Sequence, residues 1–337
     1  MTHIINLPNG EQKSVRLDTW KRQGLDPRDE LFRLKTNRGI IGAAGQTSCD
    51  NRAICSPVED QLTLGSCTDH ALAALIECNE IKAGFKAAKQ QLIIAQASAP
   101  TVAISNIVQA ANGTITYLTT VTPVAPAPTP TPTPTPAPTP PTPTPKTLIK
   151  VSRLFSYYAT RSIEGTVSSD SGASVRDTVK SAYKYGVVNE TLWPYDVSKF
   201  ETNPPQTVWT TAASNKIASY HSIADGDLET IKTTLISGYL VDFGFDVYSY
   251  MLSDACAANG ILPAPNLQTE TLQGGHSVAI VGFDDNFAMP DGTSGAFLIK
   301  NSWGAGWGIA GYFWMGYNYV GNTRLANDFW VIQSEPF

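Results

Sequence analysis

After a polar loop, the apolar positions Ala71, Leu72, Leu75 and Ile76 recur at three- and four-residue intervals. That spacing predicts a helix entered at Cys67, with Ser66 as its cap, running through Glu80 toward Gly84 and resuming in KAAKQQLIIAQA. VSRLFSYYATR (151–161) and VRDTVKSAYKYG (175–186) repeat the helical period, the second capped by Ser174 and stopped by Gly186. LETIKTTLIS, capped by Asp227, is one more helix. From His221 onward the pattern changes, and YLVDFGFDV, HSVAIVGFDD, AFLIKNSW, GYFWMGY and DFWVIQ are apolar, β-branched and aromatic runs that predict strands. A helical half followed by a strand-rich half predicts an α+β protein of two packed lobes, with a ligand cleft between them.

The rest of the chain is less regular. Residues 1–45 form a polar N-terminal extension in which LDPRDELFRL predicts one brief helix, capped by Asp26 with Pro27 at its first position. An extension draped on the surface is the favoured reading, and a short pro-segment lying in the cleft is the alternative. Residues 82–146 read as an insertion. It starts with apolar, β-branched stretches on either side of Asn112-Gly113, a hairpin signal, and ends in the Pro/Thr-rich run 123–146. Alternating proline cannot build a hydrogen-bond ladder, so that run is expected to be an extended polyproline spacer. A proline-reading partner at Pro140 to Pro143 is the less favoured alternative.

Composition narrows the function classes. With 337 residues, 16% charged and a net charge of −5, the chain can bury a large core but offers neither a basic nucleic-acid groove nor a membrane-binding surface. No apolar window is long enough to span a bilayer, and the N-terminus lacks a signal-peptide core. No metal-ligand cluster, phosphate loop or nucleotide fingerprint is present, so no cofactor is expected. Of the 5 cysteines, Cys49 and Cys55 are close enough in sequence to pair, and Cys78 reads as core.

Cys67 is the residue on which a chemical reading turns. At the first turn of a helix, unpaired backbone N–H groups and the positive end of the dipole favour a thiolate, although a buried cysteine can also be plain core. Two distant segments decide the matter. LQGGHSVAIVGFDD carries His276 and FLIKNSWGAGWGIAGYFWM carries Asn301. Gln61 before Cys67, then Gly-Gly-His, then Asn-Ser-Trp-Gly, in that order, resembles the papain-like cysteine peptidases from about Ser48 to the end, outside the insertion.

The resemblance implies a papain-like two-lobe fold over residues 46–337, with a helical lobe carrying the Cys67 helix and a strand-rich, barrel-like lobe carrying His276 and Asn301. It also implies a cysteine endopeptidase acting on protein or peptide substrates. Cys67 would be the nucleophile, His276 its proton acceptor, Asn301 the residue orienting the imidazole, and Gln61 an oxyanion donor alongside the Cys67 backbone N–H. Gly172 and Ala173 match the turn that pairs with extended substrate. Gly275 and Ser277 would line the pocket for the second residue on the acyl side, and Trp303 would cover the Asn–His contact. Trp193-Pro194-Tyr195 stands where the family has a structural turn.

The chain also departs from the family pattern. Leu64 replaces the usual disulfide cysteine and Thr68 the usual tryptophan, which leaves the local packing and part of the pockets open. His70, three residues after Cys67, is the rival to His276 and reads as structural, while Asp284 and Asp285 read as solvated turn residues. A transpeptidase or ligase using the same site and a catalytically silent binding protein are the competing functions.

Overall fold

The computed structural model describes residues 2–24, 26, 28–32, 45–98, 102–109, 115–121 and 150–333. The chain divides into two compact units, Met1–Glu80 with Ile149–Phe337, and Ile81–Leu148.

The larger unit opens with a hairpin of β1 (Thr2–Asn6) and β2 (Gln12–Arg16), followed by the short strand β3 (Ser48–Asp50). Ile5 and Val15 of the hairpin and Leu17 after it are buried in the core, so residues 2–24 are built into the protein and not draped over it. The expected helix around Asp26 is not formed among the described residues. Asp29 N–H closes a turn onto Asp26, and Phe32 N–H donates to the Ser222 carbonyl at 2.7 Å. A one- or two-turn helix nucleates poorly, and pairing with a sheet edge satisfies the same backbone groups.

Helix α1 (Cys67–Ser98) follows and runs without a break through Gly84 into the second unit. One glycine costs a helix only about 1 kcal/mol, and the lysines, alanines and glutamines after it are strong helix formers. In the second unit, β4 (Val102–Gln109) pairs antiparallel with β5 (Ile115–Val121), Val102 opposite Val121, as a hairpin requires. Its Asn112-Gly113 turn and the Pro/Thr-rich run, with the spacer and partner readings attached to it, lie outside the described residues.

The larger unit resumes with α2 (Arg153–Glu164) and α3 (Val175–Lys184). Their caps Ser152 and Ser174 accept from the backbone N–H of Phe155 and Asp177. Gly186 ends the second helix at φ 81°, where a Cβ would sit 1.8 Å from the Ala212 carbonyl oxygen. Then come α4 (Gln206–Ala212), β6 (Ser219–Ile223), α5 (Leu228–Ile236, capped by Asp227) and β7 (Val241–Tyr248). They are followed by α6 (Asp254–Asn259), β8 (Ile261–Leu262), β9 (Leu272–Ala288) and β10 (Ser294–Lys300). The chain closes with β11 (Tyr312–Gly316), α7 (Tyr317–Val320) and β12 (Ala326–Gln333). Asp284 and Asp285 therefore lie within a strand and not a turn. Asp285 accepts from Lys232 at 2.9 Å and from the Tyr317 hydroxyl at 2.7 Å.

Strands β6 to β12 form one mixed sheet in the order β6-β12-β7-β9-β10-β11-β8, with β3 also on β9. Its end strands do not pair with each other, so the expected barrel-like lobe is a large open sheet. Side chains alternate across it, as strand geometry demands. Val278 and Ile280 join Phe243, Phe245, Phe297 and Phe313 in one core, whereas Ala279 and Val281 pack with Trp330 against Leu72, Leu75 and Ile76 of α1. The second face is the contact between lobes, and it brings the head of α1 to the middle of the sheet.

Candidate active site

Cys67 opens α1 and is wholly buried. The loop before it is tied down on both sides. Asp170 accepts from Gly65 N–H at 2.9 Å, and the Tyr195 hydroxyl lies 2.7 Å from Ser66 Oγ and donates to the Gln61 carbonyl at 2.9 Å. Gln61 N–H donates to the Ser302 carbonyl at 2.9 Å, and Ser302 Oγ donates to Gln61 Oε1 at 2.6 Å. These bonds stitch the cysteine loop to the segment that carries Asn301. One hydrogen of Gln61 Nε2 goes to the Leu64 carbonyl at 3.0 Å, which leaves the second for another acceptor.

His276 and Asn301 lie on the sheet side. Asn301 Oδ1 accepts from Ser302 N–H at 2.8 Å and lies 2.9 Å from His276 Nε2. An oxygen already accepting a backbone N–H must be an acceptor here too, so Nε2 is the protonated nitrogen and Nδ1 is the bare base. His276 Nδ1 is buried and makes no hydrogen bond. Trp303 stacks on the imidazole with centroids 5.1 Å apart and shields the pair from water. The Ser277 backbone amide, one residue past His276, faces the Cys67 sulfur and so brings the two halves of the site together.

Burial dominates the electrostatics. It pushes the Cys67 thiol up to about 12, against smaller downward effects of hydrogen bonds from Thr19 and Ser277. It pushes His276 down to about 4, against the bond to Asn301. The neutral pair is therefore the stable one in this state.

The cover is the chain's own N-terminal segment. Thr19 Oγ1 lies 3.1 Å from Cys67 Sγ. The Thr19 carbonyl accepts from Ala173 N–H at 2.9 Å, Lys21 N–H donates to the Ala173 carbonyl at 2.9 Å, and Thr19 N–H donates to the Gly275 carbonyl at 3.3 Å. Gly172 makes room for the segment, since a Cβ there would sit 2.0 Å from the Thr19 oxygen. Ala173, Gly172 and Gly275 therefore contact residues 19–21 of the chain itself. Ser277 turns its hydroxyl inward and donates to Asp242 Oδ1 at 2.7 Å. His70 is turned away, its Nδ1 2.9 Å from the Ser66 carbonyl oxygen, and burial holds its pKa well below the usual histidine value. No disulfide joins any two of the cysteines, so Cys49 and Cys55, whose pairing the sequence leaves open, are not paired.

Sequence reasoning missed Thr19, Trp20 and the loop anchor Asp170, and it placed Tyr195 only in a structural turn. Trp20, a lone aromatic in a polar stretch, was the one available hint. Among the described residues there is no group of side chains that would hold a metal ion, and no helix is long and apolar enough to cross a membrane.

A two-lobe fold with cysteine at a helix head and His–Asn on the facing sheet defines a papain-like protein. Residues 165–332 match the model of the papain family of cysteine proteases. The chain belongs to that family. An uncharacterized peptidase C1-like protein of Acanthamoeba polyphaga mimivirus is 41% identical over 189 residues, 54% of this chain and 58% of the viral protein's length. Xylellain, a cysteine protease from Xylella fastidiosa, is 29% identical with a TM-score of 0.67, covering 95% of this chain and 98% of that one. Digestive procathepsin L 3 of Tenebrio molitor shares the fold with a TM-score of 0.54 at 16% identity, over 94% and 76% of the two chains.

Proposed function

We propose that the chain is a cysteine endopeptidase held inactive by its own N-terminal segment. The observation that carries this reading is the bare, buried Nδ1 of His276, its ring oriented by Asn301, with Cys67 at a helix head and Thr19 reaching from the Cys67 sulfur to the Gly275 carbonyl next to the histidine. In the uncovered site the Cys67 thiol gives its proton to His276 Nδ1, and the thiolate attacks the scissile carbonyl. The oxyanion is received by the Cys67 backbone N–H and the free hydrogen of Gln61 Nε2. The imidazolium protonates the leaving amine and the thioester forms. His276 then takes a proton from water, the hydroxide displaces the thiol, and the acid product leaves. Asn301 holds the Nε2–H throughout, so Nδ1 stays aimed at sulfur.

The covering segment gives Cys67 nothing to attack, because a hydroxyl and not a peptide carbonyl faces the sulfur. It also keeps water out, and so keeps the thiol and imidazole neutral. Labelling with an epoxide thiol trap, once the N-terminal segment has been displaced, tests the assignment, with Cys67→Ala as control. Modification at Cys67 that abolishes peptide cleavage is expected. A trapped, inactive enzyme modified only at another cysteine would refute it.

A further inference from the structure

The N-terminal segment is held over the cleft by ion pairs of one polarity. Lys13 pairs with Asp60, Arg16 with Asp170 at 2.7 Å, Lys21 with Glu164 at 2.5 Å, and Arg22 with Asp246 at 3.4 Å. In each pair the segment supplies the cation and the body supplies the acid. The polarity reverses only past the site, where Arg176 of the body takes Asp29 at 2.6 Å. Removing the segment therefore uncovers a groove with an acidic rim.

Beneath that rim lies the pocket now filled by Trp20. Asp242, Gly244 and Asp246 alternate along β7 and so share the face turned to the cleft. Gly244 and Gly275 form a floor without side chains. A Cβ would stand 1.9 Å from the indole at Gly244 and 2.9 Å from it at Gly275. Asp328 faces the indole from β12. It adopts φ 64° inside the register shift between Asn327 and Trp330, a left-handed conformation that re-aims a side chain out of the ladder.

One Asp328 oxygen accepts from the Trp330 indole at 2.6 Å, while Oδ2 is buried without a partner. The Trp20 N–H is directed at this carboxylate but completes no hydrogen bond of normal geometry. Asp242 Oδ2, in a side chain with no exposure at all, is also without a partner. Buried acceptors left open are costly, and a ligand that brings its own donors removes that cost. Trp20 fills the volume but brings one donor and no charge.

We propose that the uncovered groove takes basic polypeptides, and that the Trp20 pocket selects a lysine or arginine side chain, with Asp246 and Asp328 as the specificity-determining residues. The proposal rests on the peptidase reading above. The aliphatic stem of such a side chain lies over the glycine floor, and its N–H donors meet the open carboxylate oxygens.

The test uses the full-length chain activated by limited trypsin digestion, for which Arg33, Lys35 and Arg38 lie between segment and body. Trypsin is then quenched with a serine-protease inhibitor and the nicked segment, which is anchored by Ile5, Val15 and Leu17 as well as by its ion pairs, is displaced in mild urea at high salt and removed before assay. Peptide amides identical except for arginine, leucine or glutamate at the second residue on the acyl side are compared by kcat/KM, with Cys67→Ala as the control. Arginine is expected to exceed both others by about tenfold or more, the scale of one hydrogen bond to a charged group. Asp246→Asn and Asp328→Asn, which keep side-chain size, are each expected to shrink the arginine-over-leucine ratio severalfold. Leucine or glutamate cleaved as well as arginine, or an arginine preference that survives both substitutions, overturns the proposal and leaves the peptidase reading standing. Absence of Cys67-dependent cleavage of all three peptides overturns both.

Discussion

If the N-terminal segment seals the site, Trp20→Ala should open it. Trp20 is only 6% exposed and packs in the cluster that joins Cys67 and α1 to the sheet. An aromatic of this size buries roughly 150–250 Å², and truncating a buried tryptophan to alanine costs about 3–5 kcal/mol. Part of that cost is absent here, because Arg22 lies over the ring on the solvent side, 5.6 Å from its centroid, and leaves with the same segment. A shift of about 3 kcal/mol in the sealed–open equilibrium raises the open fraction by more than about a hundredfold. Ile5, Val15 and Leu17 remain in the core, so residues 18–22 are expected to lift while the rest of the segment stays docked. The assay is the second-order rate of Cys67 alkylation by a peptidyl epoxide on the full-length chain, with thermal melting to establish that the variant is folded. A folded Trp20→Ala chain alkylated at the wild-type rate would show that the indole does not hold the seal. A wild-type chain alkylated as fast as an open thiol would show that there is no seal.

Other perturbations probe the same arrangement from different sides. Acid should loosen the segment: His276 is held at about 4 against an ordinary 6.5, so the sealed state favours the neutral ring. Its contribution is complete above pH 6.5 and is lost as pH falls through 4, by up to about 3 kcal/mol. The check is Trp20 fluorescence in the Cys67→Ala chain, taken against Cys67→Ala/Trp20→Phe; a signal flat from pH 7 to 4 contradicts it. Gln61→Ala removes the proposed oxyanion donor and should lower kcat of the activated enzyme by about 10²–10³ with little change in KM. A loss of less than tenfold would assign the oxyanion to other donors. Glu77→Ala strands Arg153, its partner at 3.0 Å, with both side chains 3% exposed, and leaves the Val151 N–H without its acceptor. A stability loss of about 3–5 kcal/mol in urea is expected, and a loss within 1 kcal/mol would mean that the buried pair relaxes or hydrates.

Much of the site is legible in the chain because its parts sit where local rules place them. Cys67 follows a cap and a polar loop, which positions it at a helix head whatever the surrounding fold. His276 and Asn301 stand in or just beyond apolar runs with strand character, and those runs became β9 and β10, neighbours in the sheet. The caps Ser152, Ser174 and Asp227 act where the pattern puts them, because a cap needs only its own first turn.

What local pattern did not contain was anything that depends on a distant partner. Residues 17–21 read as an undistinguished polar stretch, and only the backbone groups of Ala173 and Gly275, with the glycine-floored pocket beneath Trp20, turn them into a cover for Cys67. The open sheet in place of a barrel, Asp284 and Asp285 inside a strand, and Ser277 aimed at Asp242 likewise follow from pairings far apart along the chain. Sequence by itself determined the candidate reactive residues and the elements that carry them, since periodicity and capping act over a few residues. The tertiary structure alone decided which surface the thiol faces and how far burial keeps it neutral, because desolvation depends on every chain segment that excludes water from the same atom.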